Sequence, residues 1–466
     1  MKSNLNYLYL DIYKKNIIQN RYTFQMKDKF KKIQVQEKKI IKEFTGKRIT
    51  KYSGITSLMP FILVKLDLIS SFNKLFPTVN SNALKFTNTQ ILLTIILSSL
   101  CGIFRVSKIS NFTNDVLIQN LLSLKNAIDN QTLTNRIKSL GNAGSHLLTE
   151  LLLSKTWLWV SKSKITSITL DVDSSVIEVY GRQEGAEVGY NATKQKVKSY
   201  HPLIAFISEL KIVCNSWFRT GSAYTANGIC DFVKQISIKL PNNIEEVFFR
   251  ADSGFFDGKL FDLLEKLNFS YLVKVKLYSN IKKKLIDCVD WKEITDNRKF
   301  SICEIEYQGK SWKKSRILKA TRVLKGYEKI IFFGKIQYKP LYDYFCYCSN
   351  LEINAYELHL NYAKRATSET WIEQVKSHLN AGKTIINDFS SNDIFWQLSV
   401  LAYNISVMAR FKWKKFFKEE HNTFRDWFIN VPAVLISSGR RMYLKIYKYY
   451  NHKDKWEEFD DLLLSW

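Results

Sequence analysis

The chain has 466 residues, of which 46% are hydrophobic and 14% aromatic. This apolar content supplies a core and excludes an intrinsically disordered protein. The 70 Lys and Arg residues against 43 Asp and Glu residues give a net charge of +27, and a soluble protein with this excess usually binds a polyanion, nucleic acid first. The chain is also rich in Lys, Ile and Asn, as an AT-rich genome produces, so charge alone supports nucleic acid only in part.

The cysteines and the apolar segments indicate the compartment. Seven cysteines are scattered without zinc-ligand spacing, which is typical of free thiols in a reducing cytosol. The N-terminal residues lack the apolar core of a signal peptide. The longest apolar run, residues 91–104, is too short to span a bilayer comfortably. We therefore expect a soluble cytoplasmic protein with no membrane partner.

The first two regions in chain order are basic and helical. Residues 1–50 hold thirteen Lys or Arg against four Asp or Glu. This charge fits two interpretations equally well: a loosely ordered basic arm, or a tail that binds the phosphates of a nucleic acid. Residues 51–160 carry Leu and Ile at helical spacing. Within them, residues 129–141 resemble the second half of a helix-turn-helix, which favours a helical DNA-binding domain.

A strand pattern follows, and it carries acidic side chains. Asp171 and Asp173 share the face opposite the apolar one, and two carboxylates on a buried strand are costly unless they are paired or bind a cation. A second strand ends at Asp252, where α/β sheets present catalytic side chains. Asp is equally common at such a turn as a helix cap, so both interpretations stay open.

The second half of the chain is β-rich and then helical. Residues 270–349 alternate β-branched and aromatic residues between Lys-rich turns, and we predict that residues 362–376 form one helix. On a helical wheel, four polar side chains share a stripe about 60° wide: Tyr362, Arg365, Glu369 and Lys376. For an arbitrary helix such a stripe is a solvated face, whereas beside acidic strand ends it predicts binding of a metal and a polyanion.

These residues and their neighbours resemble a known family. The helix satisfies the pattern Y-x2-R-x3-E-x6-K in full, which is similar to the signature of the YREK group of DDE transposases from bacterial insertion sequences (the IS-four superfamily). The stretches LDVDSSVIEVYGRQEGAEVGYN, SYHPLIAF, RADSGF and WQLSVLAYNISVMARF further resemble the IS-thirteen-eighty-like branch. The similarity covers roughly residues 50–450.

The resemblance implies an α/β fold in which an RNase H-like catalytic core is interrupted by a β-strand insertion. A helical N-terminal DNA-binding region and a helical C-terminal region flank this core. The expected boundaries are residues 1–50 for the basic arm, 51–160 for the helical DNA-binding domain, 161–269 and 350–410 for the core, 270–349 for the insertion, and 411–466 for a basic-aromatic helical C-terminal region.

The resemblance also implies catalytic and metal-binding roles. Asp252 would be the second catalytic aspartate and Glu369 the catalytic glutamate, while the first aspartate is Asp173 or Asp171, with a slight preference for Asp173. These carboxylates would hold two Mg²⁺ ions, for which Mn²⁺ would substitute. Glu373 lies on the same stripe and is the alternative to Glu369.

Other side chains would contact the DNA. Tyr362, Arg365 and Lys376 would bind phosphates near the cut. In relatives, the β-strand insertion helps to hold a transposon end, sometimes by stacking an aromatic ring on a flipped base. Trp291 or Trp312 could do so here, although a buried core position is the more common fate of a Trp residue.

The expected activity is cut-and-paste transposition by metal-dependent strand cleavage and strand transfer at terminal inverted repeats. The partners implied are double-stranded DNA, as transposon ends and target, and a second copy of the chain on paired ends. The protein would be bacterial, cytoplasmic and nucleoid-associated when bound to DNA. Two alternatives stay open: an RNase H-like nuclease without strand transfer, and a co-opted DNA-binding protein.

Overall fold

The computed structural model describes residues 43–78, 84–189, 191, 194, 196–294, 297–333, 335–383 and 386–465. Contacts divide the chain after Gly46, and everything below concerns the unit formed by residues 47–466. The basic arm expected at residues 1–50 therefore lies outside the described residues, apart from residues 43–50.

The N-terminal part of this unit is helical, in line with the helical pattern of residues 51–160. The elements are β1 (Arg48–Thr50), α1 (Ile55–Pro60, continued by a π-turn over Phe61–Lys65), α2 (Leu68–Leu75), α3 (Asn88–Leu100), α4 (Val106–Thr113), α5 (Val116–Leu121) and α6 (Asn130–Ser161). Asp129 caps α6 by accepting the backbone N–H of Thr132 at 2.8 Å, as Asp does at helix starts. Gly141, at φ 55°, kinks this helix.

Among the described residues, no single helix has both the length and the apolar character that crossing a bilayer requires. The pair formed by residues 55–65 and 68–75 reaches those limits only when the two are joined, with a 60° bend between them.

The middle of the chain alternates strands and helices. The elements are β2 (Ser167–Ser174), β3 (Ile177–Glu178), β4 (Glu187–Val188), β5 (Lys198–Tyr200), β6 (Leu203–Ile207), β7 (Ile212–Trp217), α7 (Ile229–Ile238), β8 (Glu246–Ala251), α8 (Gly258–Lys266), β9 (Ser270–Lys274), α9 (Ser279–Asp287), β10 (Lys292–Ile294), β11 (Asn297–Tyr307), β12 (Arg316–Phe332) and β13 (Lys335–Ser349). The strong apolar and β-branched content of β2, β6 and β8 explains their burial in the centre of the sheet.

One large mixed sheet holds most of these strands, which confirms the mixed α/β class. Its order is β10-β11-β12-β13-β9-β8-β2-β6-β7. Strands β2, β8 and β9 run parallel, and the other neighbouring pairs are antiparallel. Residues 270–349 are β-rich as predicted, and they extend the same sheet because β9 pairs with β8 and β13 pairs with β9.

The C-terminal part begins with helices and packs one of them through the core. The elements are α10 (Ala355–Ala363), α11 (Ala366–Glu373, continued by a π-turn over Gln374–His378), α12 (Phe389–Arg410), α13 (His421–Phe424), β14 (Ala433–Ser438), β15 (Arg441–Ile446) and α14 (Lys453–Leu464). Every residue of α12 from Ser391 to Arg410 is buried, because this helix packs against α3 and α6 on one side and against β7 on the other.

Two predictions about helices are wrong in detail. Residues 362–376 are not one helix: α10 ends at Ala363, α11 begins at Ala366, and a π-turn follows. The C-terminal region is not helical throughout, because residues 433–446 form a hairpin that pairs with β1. The alternation in RMYLKI is a strand pattern, and its Arg and Lys residues obscure it.

Candidate active site

Two acidic side chains lie side by side where β2 and β8 end. The parallel register aligns Asp171 with Arg250. Asp173 lies two residues after Asp171, and Asp252 lies two residues after Arg250. Neighbouring strands are about 4.8 Å apart and alternate residues share a face, so Asp173 and Asp252 project from the same edge of the sheet. The negative charge of Asp252 acts on the pKa of Asp173. The structure therefore brings these two predicted residues together.

Asp171 occupies the same face, but its carboxylate is fully engaged. Arg250 Nε lies 2.6 Å from Oδ1 and Nη2 lies 2.8 Å from Oδ2, and the Ser208 hydroxyl donates to Oδ2. Both charged side chains are buried, at 1% and 5% exposure. Arg250 Nη1 also donates to the carbonyl oxygen of Asn361 at 2.7 Å, which ties β8 to the end of α10. Asp171 is thus the partner of an ion pair beneath the site.

Asp173 forms an ion pair with Arg365, which lies between α10 and α11. Arg365 Nη2 lies 2.7 Å from its Oδ2, and the backbone N–H of Ser174 donates to Oδ1 at 2.8 Å. Burial raises the pKa of Asp173 to about 6; Arg365 opposes this rise and Asp252 adds to it. Burial is thus the main cause of the raised pKa of Asp173, and the opposing effect of the Arg365 guanidinium does not cancel it.

Arg365 is buried at the break between α10 and α11. Burial acts to lower the pKa of its guanidinium, but Asp173, Tyr362 and Asp252 outweigh that effect and raise it. Its Nε has no hydrogen-bond partner within the described part of the chain. Arg365 is therefore a fixed positive charge with one donor left over beside the carboxylates.

Tyr362 completes this group of side chains. Burial raises the pKa of its hydroxyl to about 12, with Arg365 opposing and Asp252 and Asp173 adding to the rise. Its ring lies 5.3 Å from that of Tyr347, and Lys274 Nζ lies 5.8 Å from its centroid. The hydroxyl is therefore protonated at neutral pH and available as a hydrogen-bond donor.

A cleft of about 580 Å³ opens over this edge of the sheet, and we refer to it as the carboxylate cleft. Its polar lining comprises Ser174, Ser175, Glu178, Tyr180, Asn191, His201, Thr225, Asp252, Glu373, Lys376, Ser377 and Lys383. Burial lowers the pKa of Lys376, while Glu373, Glu178 and Asp173 oppose that change. The cleft thus presents an ammonium group opposite the carboxylates.

The side chain of Thr225 packs tightly against the turn that follows Asp252, beside the same cleft. The Thr225 hydroxyl lies 3.3 Å from that of Ser174. A Cβ atom at Gly254 would lie 2.7 Å from Thr225 Cγ2, so the middle residue of the 3₁₀ turn Ser253–Phe255 must be small. Asp252 itself accepts the N–H of Gly254 at 2.9 Å, which means that it also caps the short 3₁₀ turn.

Glu369, the third predicted carboxylate, is not grouped with Asp173 and Asp252. Glu369 is exposed on α11, one turn after Arg365, and does not line the carboxylate cleft. Glu373, one turn further on, does line the cleft and accepts a hydrogen bond from Ser377. No group of three His, Cys, Asp or Glu side chains among the described residues is close enough to hold a metal ion. The structure thus pairs Asp173 with Asp252 but does not join Glu369 to them.

The two tryptophans of the β-rich part are packed. Trp312 lies 5.1 Å from the ring of Phe256 and 5.5 Å from that of Phe261. Trp291 lies under the Arg322 guanidinium, 4.5 Å from its ring centroid. Both rings are half-buried, so each serves the packing of this region.

Sequence reasoning missed Arg250 and Lys383. The signal for Arg250 was available, because a charged residue within an otherwise apolar strand two positions before Asp252 needs a buried partner. Lys383 follows the π-turn, and only the folded chain shows that it lines the carboxylate cleft.

A buried histidine anchors the segment that carries Lys376. His421 donates its backbone N–H to Gln374 Oε1 at 3.0 Å, and its ring bonds the Ser406 hydroxyl and the Leu100 carbonyl oxygen. Burial, with Arg410 and Arg425 nearby, lowers the pKa of this imidazole well below its ordinary value. It is therefore neutral in the folded protein.

This neutral histidine predicts acid lability. The folded pKa lies below the unfolded one, so the unfolded chain binds the extra proton and stability is lost as the pH falls below about 6.5. We expect the free energy of unfolding to fall by up to about 1.4 kcal/mol per pH unit there, as measured by urea unfolding at several pH values. His421→Gln should flatten the slope, and an equal slope in both proteins would contradict this account.

Comparisons with known proteins were made on the whole chain. A family model described as "Transposase DDE domain group 1" matches residues 32–463. A search of curated protein sequences found no match. Among solved structures, the chain is similar to a chain of a piggyBac transposase synaptic complex with hairpin DNA, determined by cryo-electron microscopy. The TM-score is 0.44 at 14% identity, covering 82% of this chain and 81% of that one. It is also similar to a chain of a pre-cleavage Mos1 transpososome, with a TM-score of 0.16 at 14% identity, covering 33% and 53%.

Proposed function

The chain belongs to the DDE transposase family described as Transposase DDE domain group 1, and from this premise we propose a specific activity for it. We propose that it is a bacterial insertion-sequence transposase of the YREK group, in its IS-thirteen-eighty-like branch. It would cut and join double-stranded DNA at terminal inverted repeats. The observation that carries the proposal is that Asp173 and Asp252 directly follow the last register pair of β2 and β8, Val172 and Ala251, with Arg365 on one of the two carboxylates.

The sheet supports this proposal through its topology. We assign β2, β6, β7, β8 and β9 to an RNase H-like catalytic core, which moves its boundary past residue 269 because β9 pairs parallel with β8. The strands from β10 to β13 are assigned to the β-strand insertion. In open α/β sheets, ligands bind outside the carboxyl ends of parallel strands. Asp173 lies near the end of β2 and Asp252 directly follows β8, the parallel neighbour of β2, so both stand at that edge.

The residues present fit divalent metal ions, which DDE transposases generally use. Asp173 and Asp252 offer only oxygen donors, as hard cations such as Mg²⁺ prefer. Burial is the main cause of the raised pKa of Asp173, and a bound cation would offset the cost of burying this carboxylate. We propose that Asp173 and Asp252 are ligands, and Asp171 is not, because Arg250 already occupies both of its oxygens.

The third ligand we propose is Glu369. It follows Arg365 by four residues, and residues so spaced lie on one helix face; the guanidinium of Arg365 contacts Asp173. Glu373 lines the carboxylate cleft, one turn further from Arg365, and is the alternative. Bound at this site, two Mg²⁺ ions, or Mn²⁺ in their place, would activate the attacking oxygen and stabilise the leaving one in an in-line displacement.

The remaining residues would position the phosphate. Lys376 projects into the carboxylate cleft, where its ammonium can bind a phosphate oxygen. Tyr362 can donate its protonated hydroxyl, since its pKa is raised to about 12. Arg365 holds Asp173 in place and offers its unpaired Nε to developing negative charge. The proposed partners are therefore duplex DNA and, on paired ends, a second copy of the chain in the bacterial cytoplasm.

The activity is tested with the DNA that flanks the coding sequence. The purified chain with Mg²⁺ should nick a duplex carrying the terminal inverted repeat, and should join a pre-cut 3′ end to target DNA. Chelation with EDTA should abolish both products, which gel electrophoresis of labelled strands resolves. Cutting without joining would indicate a nuclease instead, and binding without cutting would indicate a co-opted DNA-binding protein.

A further inference from the structure

A second cleft lies next to the carboxylate cleft and is basic. It has a volume of about 780 Å³ and is lined by residues between Ile49 and Tyr52 and between Gly102 and Asp115. We refer to it as the flanking cleft. Lys51, Arg105 and Lys108 are its exposed cations. Its one acidic lining residue, Asp115, is engaged in capping α5 through the N–H groups of Leu117 and Ile118.

The two clefts share a boundary at Phe104. Phe104 lines the flanking cleft, and Lys383 Nζ lies 5.7 Å from the centroid of its ring. Lys383 in turn lines the carboxylate cleft together with Asp252 and Lys376. A ligand that leaves the carboxylate cleft past Lys383 therefore reaches the flanking cleft directly.

The basic surface continues onto the small sheet formed by β1, β14 and β15. Ile49, Val434 and Lys445 stand opposite one another in register and so share one face. Tyr443 and Arg441, two and four residues before Lys445, lie on the same face by alternation. Ile49 also lines the flanking cleft, which makes the sheet face and the cleft continuous.

The cations of this surface are free of carboxylate partners. Among the described residues, none of these five forms an ion pair: Lys51, Arg105, Lys108, Arg441 and Lys445. Helix α4 begins directly after Arg105, has no acidic residue in its first turn and receives no side-chain cap. A helix start of this kind favours an anion.

We propose that the flanking cleft and the adjoining sheet face bind the duplex that continues from the phosphate cut in the carboxylate cleft. This surface rests on the proposed function and extends it by assigning the protein surface that holds uncut DNA. Its cations are spread over a cleft and a sheet face, as contacts to the phosphates of both strands require. Single strands are instead held by successive bases stacking on a series of exposed rings. Here the rings of Tyr52 and Phe104 are half-buried, and among the residues named for this surface only Tyr443 has an exposed ring.

The test uses the full chain and a duplex of arbitrary sequence. The variant Lys51→Gln/Arg105→Gln/Lys108→Gln removes three charges from the flanking cleft. The matched control, Lys65→Gln/Lys162→Gln/Lys164→Gln, removes three exposed charges elsewhere on the chain. Dissociation constants are measured by fluorescence anisotropy at several salt concentrations, and thermal melting checks that both variants are folded.

The flanking-cleft variant should bind duplex at least about tenfold more weakly than the wild type at low salt. The slope of log K against log salt should be smaller in magnitude by about 2 to 3 than that of the wild type. Slopes equal to those of the control variant would overturn the proposal, as would equally tight binding of the wild type to phosphatidylserine vesicles or to a single strand. Strand cleavage is assayed in parallel. A wild type that binds in this manner but never cleaves would refute the proposed function while leaving the surface in place.

Discussion

Asp252→Asn and Asp173→Asn are each expected to lower the rate of strand cleavage by roughly a thousandfold or more, because each removes an anionic ligand from the proposed metal site. Binding of duplex DNA should persist, since neither substitution removes a cation. Loss of a negative charge next to Arg365 and Lys376 should tighten binding slightly. The measurement pairs single-turnover cleavage of a labelled inverted-repeat duplex with an anisotropy titration of the same DNA.

The two glutamates of the helical segment provide the matched control for this experiment. Glu369→Gln and Glu373→Gln make the same change one helical turn apart on α11. If Glu369 is the third ligand, Glu369→Gln should lose cleavage to a similar extent, whereas Glu373→Gln should retain most of it. The opposite result would assign the third carboxylate to Glu373, which lines the carboxylate cleft in this structure. Normal cleavage by Asp252→Asn would rule out the whole site.

Local patterns predicted the paired aspartates because a strand has a fixed period. Alternation places Asp171 and Asp173 on one face whatever the rest of the chain does. The same local information could not separate their roles, because these depend on Arg250, a residue 79 positions away in sequence. Only the parallel register of β2 with β8 sets that arginine opposite Asp171 and leaves Asp173 beside Asp252.

The prediction that residues 362–376 form one helix with a single polar stripe is wrong for a different physical reason. A wheel at 100° per residue assumes one uninterrupted helix, but the chain breaks at residues 364–365 and widens into a π-turn after Glu373. Arg365 is buried and contacts Asp173, whereas Glu369 is exposed. Tertiary contacts of one buried cation thus override the local helical period. The β14–β15 hairpin was missed because Arg and Lys residues obscure the alternation of β15, and because the third strand of its sheet, β1, lies almost 400 residues earlier and gives no local signal.

Arg250→Met is expected to lower the free energy of unfolding by about 3–5 kcal/mol, because it leaves the carboxylate of Asp171 buried and unpaired. The loss includes the bond from Arg250 to the Asn361 carbonyl oxygen, which holds the end of α10 near Tyr362. Urea unfolding followed by circular dichroism measures it. As a control, Lys239→Met breaks an exposed ion pair with Glu150, whose side chains are 42% and 44% exposed, and should change stability by less than about 0.5 kcal/mol.

A double variant separates the buried charge from the rest of the contact. Asp171→Leu combined with Arg250→Met replaces the pair by apolar groups and should recover most of the loss, as apolar replacements of buried ion pairs often do. Failure to recover would mean that the hydrogen bonds to Asn361 and Ser208 carry the stability instead of the charge pairing.

Asp171→Asn decides whether Asp171 is catalytic: a variant of unchanged stability that cannot cleave DNA would make Asp171 the first metal ligand. A destabilised variant that still cleaves at low temperature would confirm Asp171 as the support beneath Asp173.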